Sequence, residues 1–281
     1  MNAKRQKGAW DTLPDSRSDK MRAGRQPVTP QTASPAYRLA YADEDFLCRE
    51  ELRPVRLQLE LLKVGMMLEE SGIKSTVVMF GGARIPEPGK DPWAARNDVQ
   101  AENLRKASRY YDEARKFAQL CSRHSLTTDG RDFVVCTGGG PGVMEAGNRG
   151  AHDVGAKSIG LNIVLPHEQA PNAYVTPELS FNFHYFAIRK MHFLIRARAI
   201  AIFPGGFGTM DEMFETLTLI QTGRMEPIPF LLFGTEFWKK MIDFDALADF
   251  GTIAPEDTQL MRFVDTAEEA WSEVATYYAL C

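Results

Sequence analysis

The sequence predicts an α/β fold: a doubly wound parallel sheet in a single domain, preceded by an N-terminal helical extension. Three observations predict it. From residue 75 onward, short apolar runs alternate with longer amphipathic stretches, the pattern of strand–helix crossovers. Two of the runs pass into glycine turns that open helices, Thr137-Gly138-Gly139-Gly140-Pro141-Gly142 and Pro204-Gly205-Gly206-Phe207-Gly208-Thr209. A length of 281 residues with a hydrophobic fraction of 44% suits one large α/β domain with a sizeable core.

The chain opens on a different composition. Residues 1–42 are interrupted by Pro14, Pro27, Pro30 and Pro35 and show no apolar periodicity. Lys4, Arg5, Lys7, Arg17, Lys20, Arg22, Arg25 and Arg38 outnumber Asp11, Asp15 and Asp19. This stretch reads as a mobile basic tail. Residues 43–74 read as the helical extension, with Leu57, Leu59, Leu61, Leu62, Val64 and Met67 on an apolar face. Pro54 is expected to divide it, and Gly72 to stop it.

The domain at 75–281 begins with a buried strand at 75–80, followed by Gly81-Gly82-Ala83-Arg84. Open α/β sheets bind ligands at such carboxyl ends. A long helix is predicted over 99–124, a strand over 133–136, and a helix starting near Pro141. A strand over 157–164 follows, then a loop to Pro177 and a strand or extended lead-in at 181–186. The helix predicted at 187–198 carries Ile188, Met191 and Ile195 as its buried face. The run at 199–203 is a further buried strand, after which Thr209 reads as the N-cap of a helix over 210–222 facing the core through Met213, Phe214, Leu217 and Ile220. Strands at 230–233 and 262–264 and a helix at 236–247 complete the pattern. Thr266 and Glu269 form the capping box of the last helix.

Composition excludes several functions. A formal charge of −4 argues against a general nucleic-acid binder. No run of eighteen apolar residues exists, so no membrane span is expected. No charged stretch followed by an apolar one opens the chain, so a cytoplasmic protein is expected. Cys48, Cys121, Cys136 and Cys281 are scattered, and read as reduced thiols rather than a disulfide frame or zinc site.

A glycine turn feeding a helix N-terminus gathers free N–H groups and the positive end of the helix dipole, and phosphate is the usual guest. The dinucleotide fingerprint fails at both turns, since Val143 and Asp211 stand where its third glycine belongs. Neither turn ends in the Gly-Lys-Ser/Thr of a P-loop. A mononucleotide or sugar phosphate is therefore the predicted ligand, the alternative being two tight turns that bind nothing.

Pro204-Gly205-Gly206-Phe207-Gly208-Thr209-Met210-Asp211-Glu212 matches the pattern PGGxGTxxE, with Arg189-Lys190 upstream. Thr137 to Met144 resembles a GGGxxGLM loop, and Gly81 to Arg84 a GSAR turn. In these motifs the chain resembles the LONELY GUY (LOG) family, long labelled lysine decarboxylase-like, over about residues 75–235. The resemblance implies hydrolysis of the N-glycosidic bond of a nucleoside 5′-monophosphate, AMP or a cytokinin riboside monophosphate, to free base and ribose 5-phosphate. It places the catalytic pair on Arg189 and Glu212 and implies a homodimer. Gly82, Arg84, Gly138, Gly139, Gly140, Gly142, Glu145, Gly205, Gly206, Gly208 and Thr209 are the candidate substrate- and phosphate-binding residues. No metal or other cofactor is expected. Two departures stand out: Glu145-Ala146 follows Val143-Met144 where short members have glycine, and residues 1–74 have no counterpart in them.

The residues support this chemistry on their own terms. Breaking a ribosyl–base bond builds oxocarbenium-like charge on the sugar, which a carboxylate such as Glu212 stabilises. The departing base gains negative charge, which the fixed cation of Arg189 offsets. Each residue also has a plain structural alternative. Glu212 lies three residues after Thr209, the spacing of a capping box; Arg189 suits a solvated helix face; Glu145 suits the helix dipole. Lys157 and Lys190 carry no sign of the desolvation a Schiff-base lysine needs, so decarboxylation is not expected. The competing class is a nucleotide-binding or carrier protein that uses the same loops without turnover.

Overall fold

The computed structural model describes residues 15–166 and 170–280. Lys4, Arg5, Lys7, Asp11 and Pro14 of the basic stretch, three residues of the loop before Pro177, and Cys281 lie outside the described residues. The chain divides into two compact units, Met1–Leu59 and Glu60–Cys281.

Among its described residues, the first unit is a set of short helical pieces held by caps rather than by a core. Helix α1 (Ser16–Ala23) buries no residue and is capped by Asp15, whose side chain accepts the Ser18 N–H at 2.9 Å. Part of the basic stretch is therefore helical. Tyr41 donates to the Ser16 carbonyl at 2.6 Å, and Asp43 caps α2 (Glu44–Leu47). Helix α3 (Arg53–Glu70) starts at Pro54's first turn, so the proline sits where its missing N–H costs nothing. Gly72, at a φ of +75°, stops it as expected. Its predicted apolar face is only partly right. Val64 and Leu68 are buried, but Leu59 and Leu62 are exposed.

The second unit is a seven-stranded parallel sheet in the order β4-β3-β2-β1-β5-β6-β7. Its strands are β1 (Thr76–Phe80), β2 (Val134–Thr137), β3 (Ser158–Ile163), β4 (Ser180–Phe183), β5 (Ala197–Ile202), β6 (Phe230–Phe233) and β7 (Arg262–Val264). The long helix predicted at 99–124 is two, α4 (Asp98–Ala107) and α5 (Arg109–Thr127). They part at Ser108, whose hydroxyl donates to the Arg105 carbonyl at 2.7 Å and competes with the helical bonds. Helix α6 (Val143–Asp153) starts two residues beyond Pro141, with Gly142 as its N-cap at a φ of +68°. The helix predicted at 236–247 is also two, α9 (Thr235–Met241) and α10 (Phe244–Asp249), because the Asp243 side chain starts a new cap on Ala246 N–H. Helix α11 (Ala267–Tyr277) opens on the Thr266–Glu269 capping box.

Helices cover both faces of the sheet. Val77 and Met79 of β1 join the core formed with Tyr111, Phe117 and Ala118 of α5, Ala146 of α6 and Val274 of α11. Phe80 points the other way, as strand alternation requires. It meets Phe193 of α7 (Phe186–Ile195) edge-on at 4.8 Å. That contact corrects the predicted face of α7. Ile188, His192 and Phe193 are buried, whereas Met191 and Ile195 are exposed. The end of α3 lies beside α7. The Glu60 carboxylate accepts the His184 and Tyr185 amides, just before α7, at 2.8 and 3.1 Å, and Arg196 donates to the Gly65 carbonyl. Strand order reverses between β1 and β5, where crossovers run to opposite sides and leave a crevice at the strand ends.

Candidate active site

A cleft of about 1230 Å³ opens at that reversal. It is lined by Gly82 and Arg84 after β1, Gly138 and Met144 beside β2, Phe186 and Arg189 of α7, and residues 204–212 after β5. The α4–α5 junction and α9 close the other side.

Helix α8 (Phe207–Gln221) begins three residues earlier than predicted, with Gly206 as its N-cap. Thr209 is thus inside the first turn, where it is buried, rather than the cap. Its side chain fills the space that a Cβ on Gly205 would need. The first backbone bond of the helix runs from Met210 N–H to the Gly206 carbonyl at 3.0 Å, so the amides of Phe207, Gly208 and Thr209 have no intrahelical acceptor. A Cβ on Gly206 or Gly208 would meet nothing in the protein within 4 Å. The face of the turn is open.

The shift in the start of α8 also removes the capping-box alternative for Glu212. That residue lies more than a turn inside α8 and is only 6% exposed. Its Oε2 atom has no hydrogen-bond partner. Burial pushes the Glu212 carboxyl up to about 7, against the pull of the nearby Lys190 and Arg189 cations. Lys190 reaches across from α7 to bind Asp211 at 2.9 Å and Glu215 at 2.8 Å, the acidic residues on either side of Glu212 in sequence. Burial works against the Lys190 ammonium, but these two carboxylates more than offset it. An ammonium held in this way is not a nucleophilic amine.

Arg189 is held from three sides. Its Nε donates to the Leu161 carbonyl at 2.7 Å, its guanidinium carbon lies 5.1 Å from the Phe193 ring centre, and its Nη2 abuts Gly138. Arg189 and Glu212 therefore line one cleft together with the open turn before α8.

The triple-glycine turn is arranged differently from the second one. Gly138 lines the cleft, but Gly139, Gly140, Gly142 and Glu145 do not. The Gly139 N–H is taken by Thr137 Oγ1 at 2.9 Å, and the Val143 N–H by the Gly82 carbonyl at 3.3 Å. Glu145 accepts the buried Tyr111 hydroxyl at 2.8 Å. The turn packs between structural elements, and the side chain of Asn162 occupies the space beside Gly139. Sequence reasoning missed the cations Lys106, Arg109 and Lys240 that also line the cleft, since they lie on helices with no motif.

The family model described as "Possible lysine decarboxylase" matches residues 144–274. Cytokinin riboside 5′-monophosphate phosphoribohydrolase LOG3 of Arabidopsis thaliana is 25% identical over 147 residues, 51% of this chain and 67% of that protein. The probable cytokinin riboside 5′-monophosphate phosphoribohydrolase LOGL3 of Oryza sativa subsp. japonica is 25% identical over 163 residues, 54% of this chain and 72% of its own. Among solved structures, the Moco carrier protein from Chlamydomonas reinhardtii overlaps 74% of this chain and 99% of its own, with 18% identity and a TM-score of 0.44. The motifs at 137–144, 189–190 and 204–212, the family model and the curated relatives point the same way: the chain is similar to the LONELY GUY proteins over about half of its length.

Proposed function

We propose that the protein hydrolyses the N-glycosidic bond of a purine nucleoside 5′-monophosphate, AMP or a cytokinin riboside 5′-monophosphate, to free base and ribose 5-phosphate. The observation that carries this reading is the buried Glu212 carboxyl beside Arg189 in the cleft onto which the α8 turn opens. The 5′-phosphate binds the Phe207, Gly208 and Thr209 amides, where the absence of a Cβ at Gly206 and Gly208 lets it come close. That anchor fixes the ribose against Glu212. The C1′–N bond breaks, and its electron pair leaves with the base. Ionised Glu212 stabilises the oxocarbenium-like sugar and takes a proton from the attacking water, whose oxygen bonds to C1′. Arg189 offsets the charge on the departing base, which then takes up a proton. The curated relatives bear the name of this reaction.

A homodimer belongs to the same reading. Leu62 and Met66 of α3, Met191 and Ile195 of α7 and Phe214 of α8 are all exposed. They lie on helices that pack side by side through the Glu60 and Lys190 contacts. Five large apolar side chains on one layer suit burial against a second copy.

The test offers the protein a panel of nucleoside 5′-monophosphates and the matching nucleosides, and identifies any released base by chromatography. Cleavage of AMP with adenosine barely touched is expected. Equal kcat/KM for the two would remove the phosphate anchor. Nucleotide binding without base release would instead mark a carrier.

A further inference from the structure

The triple-glycine turn is held by a residue remote in sequence. Asn172, in the connection between β3 and β4, donates its side-chain Nδ2 to the carbonyls of both Gly139 and Gly140 at 3.0 Å. Its own backbone amide adds a bond to the Gly139 carbonyl at 2.8 Å. Behind it stands Asn148 of α6, which is fully buried. The Asn148 Oδ1 lies 2.9 Å from Asn172 Nδ2, whose two hydrogens are shared among it and the two glycine carbonyls; it also accepts from Thr137 Oγ1 at 2.7 Å, while its Nδ2 donates to Ser158 Oγ at 3.0 Å. Thr137 Oγ1 closes the circuit by accepting the Gly139 N–H. A largely buried network of this kind, with Asn172 at its half-buried edge, fixes one arrangement of the chain that passes through it.

That arrangement bears on the cleft at one point. Gly138, the residue before the clamped pair, forms the wall against which Arg189 Nη2 rests. The Leu161 carbonyl that accepts Arg189 Nε belongs to β3, next to the strand that feeds the turn. If the Gly139–Gly140 peptides rotate, the floor under the guanidinium moves with them. Phosphate anchoring at α8, by contrast, draws on none of these groups.

We propose that Asn172 is a positioning residue for Arg189, acting through its two bonds to the Gly139 and Gly140 carbonyls. This role rests on the hydrolysis proposed above. Displacement of a group by a fraction of an ångström from its productive place costs far more in turnover than in binding.

The test measures kcat and KM for AMP in Asn172→Ala, Asn172→Asp and wild-type protein, with melting curves alongside. For Asn172→Ala, kcat falls roughly 10- to 100-fold while KM stays within about threefold. Asn172→Asp keeps the size of the side chain but has no N–H to donate, so its loss is at least as large. A side chain that merely fills space would give the opposite order, with Asp milder than Ala, and that order overturns the proposal. In an Arg189→Lys background, Asn172→Ala should cost less than about threefold more, since the guanidinium it positions is already gone. Fully multiplicative losses would place Asn172 outside the action of Arg189. If Asn172→Ala fails to fold, Asn172→Ser retains one donor and should show an intermediate loss; an undiminished kcat there overturns the role. No base release by wild-type protein sinks the hydrolysis and this role together, whereas an active wild type with unchanged kcat in the variants sinks this role alone.

Discussion

Gly138 and Arg189 occupy adjoining space: a Cβ on Gly138 would lie 2.7 Å from the Arg189 guanidinium and 2.8 Å from the Met144 sulfur. Real Cβ atoms do not approach this closely, so the Met144 thioether and the Arg189 guanidinium, tethered at Nε to Leu161, would have to shift. Gly138→Ala should therefore fold and still bind nucleotide, but with kcat lowered roughly tenfold or more. Steady-state kinetics with AMP checks this, and an unaltered kcat would show that the guanidinium position is not critical.

The elevated Glu212 carboxyl gives the reaction a pH limb. Glu212 acts as a carboxylate, and burial raises it to about 7 in the free protein. The profile of kcat/KM should rise with pH and level off above a limb near 7, since this ratio reports the free enzyme. A profile flat from pH 5.5 to 8 would remove Glu212 from the rate equation.

The same group makes stability depend on pH. Its folded value of about 7 lies above the ordinary 4.5, so the native state holds a proton that the unfolded chain has lost. The stability this contributes is present below 4.5 and disappears as pH rises through 7. Glu212→Gln cannot ionise. It should melt higher than wild type at pH 8, by about 1–3 kcal/mol, and the gain should shrink toward pH 5. Differential scanning calorimetry at both pH values decides it, and a variant less stable at pH 8 contradicts the assignment.

His192 works in the opposite sense. It is buried against Phe183, and burial, aided by Arg196 and only partly opposed by the Leu61 and Glu60 backbone, holds it below its ordinary 6.5. The unfolded chain then binds the extra proton, so stability falls as pH drops below 6.5. His192→Phe should flatten the acid side of the stability profile. Equal acid loss in both proteins would assign it to other groups.

Motif and periodicity carried much of the fold because the strands are apolar runs and the turns are glycines. The strands at 230–233 and 262–264 and the Thr266–Glu269 cap stand where the sequence put them. What failed were choices made by tertiary contacts. Phe193 rather than Met191 faces the sheet because Phe80 meets it there. The helices broken at Ser108 and Asp243 keep their apolar spacing across the break, so periodicity does not reveal it. In the site, the glycine turns and the Arg189–Glu212 pair were legible as motifs. The difference between the two turns was not, since it depends on Asn172 and Asn162, which reach Gly139 from other elements, and on Asn148, which holds Asn172. Neither was the Lys190 bridge, which only the packing of α7 on α8 creates.

The central claim is that Glu212 performs chemistry in a cleft that binds a nucleoside 5′-monophosphate. Glu212→Gln keeps the shape of the side chain and removes its charge. As Glu212 caps no helix, the change has no N-cap to break. The most direct measurement is single-turnover release of adenine and ribose 5-phosphate from AMP by wild-type and Glu212→Gln protein, with AMP binding measured alongside by calorimetry. Glu215→Gln serves as the second comparison; it removes one of the two Lys190 partners and leaves Asp211 in place. Base release by wild type, a loss of roughly a hundredfold or more in Glu212→Gln with AMP still bound, and a much smaller loss in Glu215→Gln are the predicted results. Near-normal release by Glu212→Gln would contradict the account.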